Sequence, residues 1–343
     1  LPLAGLADRF GRRPTLLATA ALGLVLTIVA AAAPSYWWFV AIFALGRPFL
    51  SATQGVAQVV AVELTATAER AKAVALVAAG YAVGAGALAV LHSMASGALG
   101  FRGVFALSVV PLAFLPLLAR MVVEPNRYAR VTAAEHRPPV LGPVDRPHRG
   151  RLLLVVALAF GVSVITGPAN SLVFVYAQNV LHLSGIVTSA MVVAAGVAGL
   201  GGLLLGRWLA DGWGRRPTVA VAMVAMGLAG TLAYTGPRSA LFAGYVLGVT
   251  AGGVFAPAAG ALANELFPTA IRASVAGWTI AAGVVGAVLG LVAFGAAADV
   301  GGVADHAGFA AAVVFLPATC LATLLLALPE TRGHEPEELW GEG

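Results

Sequence analysis

Apolar runs of about twenty residues recur along the whole chain, each closed by charges, Pro or a Gly-rich turn. A bilayer core takes roughly 20 consecutive apolar residues per helix, so each run predicts a membrane span. The runs lie near 15–33, 37–60, 73–97, 103–123, 152–178, 184–206, 218–235, 239–262, 273–296 and 307–328. Between the fourth and fifth, residues 124–151 are dense in Pro, Arg and His, as in Glu135-His136-Arg137-Pro138-Pro139 and Arg146-Pro147-His148-Arg149. Such a segment cannot cross lipid and reads as a linker. The pattern thus divides the chain into a helical bundle over 1–123, a linker over 124–151, a second bundle over 152–328 and a tail over 329–343.

Composition makes the solvent explicit. Of 343 residues, 60% are hydrophobic and 10% charged, with a mean hydropathy of +0.92, where a soluble domain carries about a quarter of its residues as charges. The expected class is an all-α integral membrane protein with lipid as a partner. The 42 glycines fit it, because small residues let helices in lipid approach closely. A pI near 9.9 would suggest nucleic acid only with a basic face and a recognisable binding motif; there is none, and no nucleic-acid partner is expected. Cys320 is the sole cysteine and forms no intrachain disulfide. No zinc or haem spacing occurs, so neither metal nor cofactor is expected.

Basic residues set the orientation, since loops rich in them stay cytoplasmic. Arg9, Arg12, Arg13, Arg70, Lys72, the linker arginines, Arg207, Arg215, Arg216, Arg272 and Arg332 fall in alternate loops, while the opposite loops hold only Arg102 and Arg238. Both ends of the chain are therefore expected in the cytoplasm, with the spans in the plasma membrane. The chain opens on Leu1 without signal-peptide order, and its start reads as a truncation.

A repeat with two anchors carries the strongest signal. Asp8-Arg9-Phe10-Gly11-Arg12-Arg13-Pro14-Thr15 recurs as Asp211-Gly212-Trp213-Gly214-Arg215-Arg216-Pro217-Thr218. At nearly the same separation, Glu63-Leu64 followed by Arg70-Ala71 recurs as Glu265-Leu266 followed by Arg272-Ala273. Two copies of one plan are the mark of a transporter fold built from parallel repeats. Two spans precede the second Asp-to-Arg loop and none the first, so the pattern predicts two pseudo-symmetric six-helix bundles with the first helix and most of the second lying upstream.

The Asp-Arg-x-Gly-Arg-Arg loop and its recurrence resemble the signature of the major facilitator superfamily. The Glu-x6-Arg spacing and Pro329-Glu330-Thr331-Arg332-Gly333 are similar to its sugar-porter and metabolite-symporter branch, and Val123-Glu124-Pro125-Asn126-Arg127 is a looser match to the same branch. The resemblance implies a cytoplasmic gate formed by Asp8, Arg12, Arg13, Glu63, Arg70, Asp211, Arg215, Arg216, Glu265, Arg272, Glu330 and Arg332. Physically, short loops of both signs form salt bridges when a face closes and lose them when it opens, biasing two states by small energies. Asp8 and Asp211 are expected near helix N-termini, where the macrodipole favours a carboxylate.

Inside the spans, Arg47, Ser51, Gln54 and Gln58 recur at helical spacing and predict one polar stripe. An Arg within a span is expensive and faces a bundle interior or a wet cavity. Ser163, Thr166, Asn170, Phe174 and Gln178 make a second stripe, competing with a role as interhelical glue. Tyr81 and Trp278 complete the substrate-cavity candidates. No Asp or Glu lies in the middle of a span, Glu63, Glu265 and Asp299 falling near helix ends, so the residue that would carry a coupling proton is left open. The expected function is secondary transport of a small organic solute, sugar-like or organic-acid, by alternating access and with H+ as the coupling ion, in a monomer. Efflux of apolar drugs is the alternative. An enzyme is not expected: Ser93 and His92 are adjacent on a helix and point about 100° apart, so they cannot pair as nucleophile and base.

Overall fold

The computed structural model describes residues 11–64, 76–77, 80, 83–84, 86–88, 90–91, 100, 102–123, 146–267, 272–299 and 303–331. Some side chains among them, those of Gln58, Glu63 and Arg272 included, are not described. The described residues form helices in the order α1 (Arg12–Ala31), α2 (Tyr36–Leu64), α3 (Val109–Met121), α4 (Arg146–Ser171), α5 (Val173–Val175), α6 (Gly185–Gly212), α7 (Arg215–Ala233), α8 (Arg238–Leu266), α9 (Arg272–Asp299) and α10 (Val303–Thr319). A π-turn over Tyr176–Val180 follows α5, and a 3-10 segment over Cys320–Ala327 continues α10. Nine helices among the described residues are long and apolar enough to span a membrane. The span expected over 73–97 falls mostly outside the described residues.

Most helices run past their apolar runs. α4 starts at Arg146, inside the segment read as linker. Its first turn tolerates Pro147 because the N–H that proline lacks has no helical partner there. Charged turns thus continue the helices beyond the apolar stretch rather than ending them.

The chain divides into two compact units, Leu1–Leu141 and Gly142–Gly343. In the first, α1 packs on α2, with Gly23 against Leu50 and the Thr53 hydroxyl donating to Thr19 at 3.0 Å. In the second, α6 packs on α8, α7 on α8 and α4 on α9. These contacts are made over small residues. A Cβ on Gly202 or Gly206 of α6 would strike the Thr250 or Val254 carbonyl of α8, and one on Gly290 of α9 would lie 2.5 Å from the Val164 carbonyl of α4. Large apolar side chains point outward instead, Leu204, Leu153 and Val292 among them, as a helix bathed in lipid requires. The interior of the second unit holds Ile165, Met191, Met223, Met226 and Phe315, with rings of Tyr176, Tyr234, Phe294 and Phe315 in successive contact at 4.9 to 5.7 Å.

The two arginines of the sparsely basic loops each satisfy a carbonyl just past a helical segment. Arg102 donates to the Ala33 carbonyl at 3.1 Å and Arg238 to that of Leu181 at 3.3 Å. Helix ends leave carbonyls without intrahelical partners and carry partial negative charge, so a guanidinium suits both places.

Candidate gate and pathway residues

The second copy of the repeat forms a tight turn between α6 and α7. Trp213 and Gly214 both donate to the Leu209 carbonyl, at 2.7 and 3.2 Å, and close α6. Gly214 then takes φ 128° and ψ 154°, a region open essentially to glycine alone, and α7 begins at Arg215. Gly11, its counterpart in the first copy, takes φ 105° and ψ 150° before α1 begins at Arg12. The repeat is therefore preserved in backbone conformation as well as in sequence.

Around the second turn the predicted gate residues meet. The Glu330 carboxylate sits at the start of α7, accepting the backbone N–H of Arg215 at 2.9 Å and of Arg216 at 3.1 Å. The Arg215 guanidinium, only 17% exposed, reaches Glu265 at 3.2 Å and Asp211 at 3.5 Å, and donates to the Ala210 carbonyl at 3.3 Å. Its Nε is buried without an acceptor among the described residues. The buried Thr331 hydroxyl donates to the other oxygen of Glu265, and the Thr331 N–H donates to Glu330 at 3.1 Å. Arg216 turns away to the Leu328 carbonyl at 3.0 Å. One connected network thus ties together the ends of α6, α7 and α8 and the segment following α10. Arg207 and Asp211, 3.9 Å apart and both largely exposed, add little to it.

Asp211 is not at a helix N-terminus. It lies in the last turn of α6, where the dipole disfavours a carboxylate, and is offset there by Arg207 and Arg215. Glu330 takes the N-terminal position instead. The helix continues through Arg207 and Asp211, which moves Asp211 back into the preceding helix.

In the first unit Arg13 donates to the Ala119 carbonyl at 2.6 Å, in the last turn of α3. Arg13 and Arg216, equivalent in the repeat, make equivalent bonds: each lies in the first turn of a helix and holds a carbonyl near the end of a later one. Arg12 lies beside it, half-buried at the start of α1. Glu63 is in the last turn of α2 and Arg272 opens α9. Asp8, Arg70, Arg332 and Tyr81 lie outside the described residues.

Of the first stripe, Arg47, Ser51 and Gln54 are exposed together on α2, with the Arg47 guanidinium 5.8 Å from the centre of the Phe43 ring. Gln58 continues that helix. The second stripe does not run as one helix. α4 stops at Ser171, three residues after Pro168, and Gln178 lies in the π-turn. Asn170 is exposed at the end of α4, while Phe174 and Gln178 are half-buried beyond the break, so the 3.6-residue spacing does not carry through. Ser163 and Thr166 lie within α4, the Thr166 hydroxyl donating to the Val162 carbonyl at 3.0 Å. Trp278 is 48% exposed on α9.

Three tyrosines that the sequence pattern did not single out gather at this break. Tyr234 is buried and donates its hydroxyl to the Ala169 carbonyl at 3.1 Å, while Tyr176 donates to the Tyr234 carbonyl at 3.2 Å. Tyr245 of α8 donates to the Asn170 side-chain oxygen at 3.3 Å. Pro168 inside an apolar run was the available signal.

A family model described as Major Facilitator Superfamily matches residues 1–209 and 191–342. Two curated proteins are similar in sequence. A Haemophilus influenzae protein named for metabolite transport is 26% identical over 287 residues, covering 78% of this chain and 69% of that protein. A Cupriavidus pinatubonensis protein named as a 4-methylmuconolactone transporter is 25% identical over 350 residues, covering 97% and 79%. Among solved structures, the inward-open xylose transporter XylE from E. coli matches with a TM-score of 0.75 at 19% identity, covering 99% of this chain and 84% of that one. The human organic anion transporter MFSD10 matches with a TM-score of 0.64 at 16% identity, covering 94% and 79%.

Proposed function

The chain belongs to the Major Facilitator Superfamily, and from that premise we propose that it carries a small organic solute, sugar-like or organic-acid, across the plasma membrane by alternating access, driven by a proton gradient. The observation that carries the reading is the doubled turn, Gly11 with Arg13 and Gly214 with Arg216, each joining the start of one helix to the end of a later one in its own unit. Two bundles built to one plan suit rocking about a midplane site. The names of the sequence relatives support a metabolite as cargo, and the fold likeness to XylE supports the architecture.

In this reading Asp8, Arg12, Arg13, Glu63, Arg70, Asp211, Arg215, Arg216, Glu265, Arg272, Glu330 and Arg332 form the cytoplasmic gate. Arg47, Ser51, Gln54, Gln58, Tyr81, Asn170, Phe174, Gln178 and Trp278 face the solute. The basic loops support a cytoplasmic position for both ends of the chain, and the carrier works as a monomer. The test is uptake into proteoliposomes of labelled D-xylose, D-glucose and a muconolactone, with and without an inward proton gradient. Accumulation that collapses with a protonophore is expected for at least one of them. Transport of bulky apolar cations with no response to any of the three would establish the exporter alternative instead.

A further inference from the structure

Tyr245 and Asn170 meet across two helices of the second unit. Asn170 lies in the last turn of α4; its amide N–H donates to the Thr166 carbonyl at 2.9 Å and its oxygen accepts the Tyr245 hydroxyl at 3.3 Å. The carboxamide is thereby held at both ends, leaving a second N–H and a second oxygen lone pair. Asn170 is exposed, and so is Ser171 beside it, where the helix is interrupted. Exposed polar groups and broken helix within an apolar span are tolerated only where protein or water covers them, not against lipid.

The other side of α8 is a different surface. Leu247, two residues from Tyr245 and so at nearly the same depth, is exposed and lines an open groove of about 380 Å³ with Leu228, Leu232 and Val254. Two residues of an α-helix point about 200° apart, so α8 presents a polar edge to one side and an apolar one to the other. Tyr176 and Tyr234, by contrast, are buried and spend their hydroxyls on backbone carbonyls.

Resting on the transport reading above, we propose that Tyr245 is a positioning residue of the water-filled solute pathway, fixing the Asn170 carboxamide so that its remaining donor and acceptor engage a solute hydroxyl. A hydroxyl both donates and accepts, matching the pair; a carboxylate would use the N–H and meet the oxygen unfavourably. The pair therefore selects a hydroxylated solute over an acid.

The test uses the full chain with Cys320→Ser and single cysteines at 170, 245 or 247, exposed in proteoliposomes to a water-soluble maleimide. Cysteines at 170 and 245 are expected to label at least about tenfold faster than one at 247, because a thiol in lipid stays protonated and out of reach of the reagent. Equal resistance at all three positions overturns the pathway assignment. Tyr245→Phe is then compared with wild type for D-xylose uptake. An increase in KM of about tenfold is expected, the size of one lost hydrogen bond, with Vmax within about twofold and an unchanged melting temperature. An unchanged KM, or a loss of stability that accounts for the defect, overturns the positioning role. Uptake by the wild type of the lactone but not of D-xylose or D-glucose overturns the hydroxyl assignment. Failure to carry any of the three overturns the substrate reading above, while labelling still decides the pathway assignment.

Discussion

Glu330→Ala removes the group that closes the N-terminus of α7. The carboxylate accepts two backbone N–H groups, from Arg215 at 2.9 Å and Arg216 at 3.1 Å. Replacing a capping side chain with alanine costs about 0.5–2 kcal/mol, and a carboxylate beside the positive end of a helix contributes about 0.3–1 kcal/mol more. A loss of about 2 kcal/mol is expected, which for a unit of this size lowers the melting temperature by about 4–8 °C. Glu330→Gln keeps an acceptor and loses the charge, so it should lie between wild type and Glu330→Ala. Gly214→Ala provides an internal check. Its φ of 128° makes any side chain strained, at about 1–3 kcal/mol. The added Cβ would also lie 2.9 Å from Glu330 Oε2, and this clash disappears in Glu330→Ala. The double variant should therefore be more stable than the sum of the singles by about 0.5–1 kcal/mol. Thermal unfolding of the purified protein in detergent measures all four. A Glu330→Ala protein melting within about 1 °C of wild type would refute the reasoning.

Arg215→Lys keeps the charge but gives up the fork that reaches Asp211, Glu265 and the Ala210 carbonyl together; a loss of about 1–2 kcal/mol is expected in the same melting assay, insensitive to salt because the guanidinium is largely buried. Gly202→Leu drives a side chain into the Thr250 carbonyl of α8, and should remove most folded protein from the monodisperse peak in size-exclusion chromatography, while Gly201→Leu, where a Cβ meets nothing within 4 Å, should not. Tyr234→Phe strips the hydroxyl bonded to the Ala169 carbonyl; leaving that acceptor unmet costs about 1–3 kcal/mol, seen as a lower melting temperature with an unchanged KM, the opposite of the outcome expected for Tyr245→Phe.

The spans were legible because a bilayer imposes one period and one length, and runs such as 218–235 and 273–296 carry both. Their ends were less so. Arg12, Arg146, Arg207 and Asp211 were read as loop because they are charged, whereas each lies inside a helix. Hydropathy reports where lipid ends, not where backbone hydrogen bonding ends. The same confusion put Asp211 at a helix start that Glu330 occupies from far along the chain. Which carboxylate caps α7 is a tertiary fact, and no spacing within the repeat encodes it. The stripe through Asn170, Phe174 and Gln178 assumed one unbroken helix; Pro168 announced a disturbance without saying that α4 would end at Ser171 and be followed by the short α5 and a π-turn. Tyr245 was invisible as a site residue because its meaning depends on Asn170, seventy-five residues earlier.

The described bonds among Asp211, Arg215, Glu265, Thr331, Glu330 and Arg216 all lie within Gly142–Gly343. A ligand or a charge moves an equilibrium between two conformations only by as much as it interacts differently with them. Bonds confined to one unit and kept in both conformations would stabilise that unit without favouring either. For this network to act in gating, at least one of its bonds must change when the cytoplasmic face opens. The candidate is Asp211–Arg215, since Asp211 is 60% exposed while Glu265 is 25% exposed and its second oxygen is held by buried Thr331. Asp211→Asn should then shift the balance of inward-open and outward-open states at little cost in melting temperature, whereas Glu265→Gln should lower the melting temperature first. Equal effects of both on stability, with no change in the accessibility of cysteines placed on either side of the pathway, would make the whole network a structural clamp.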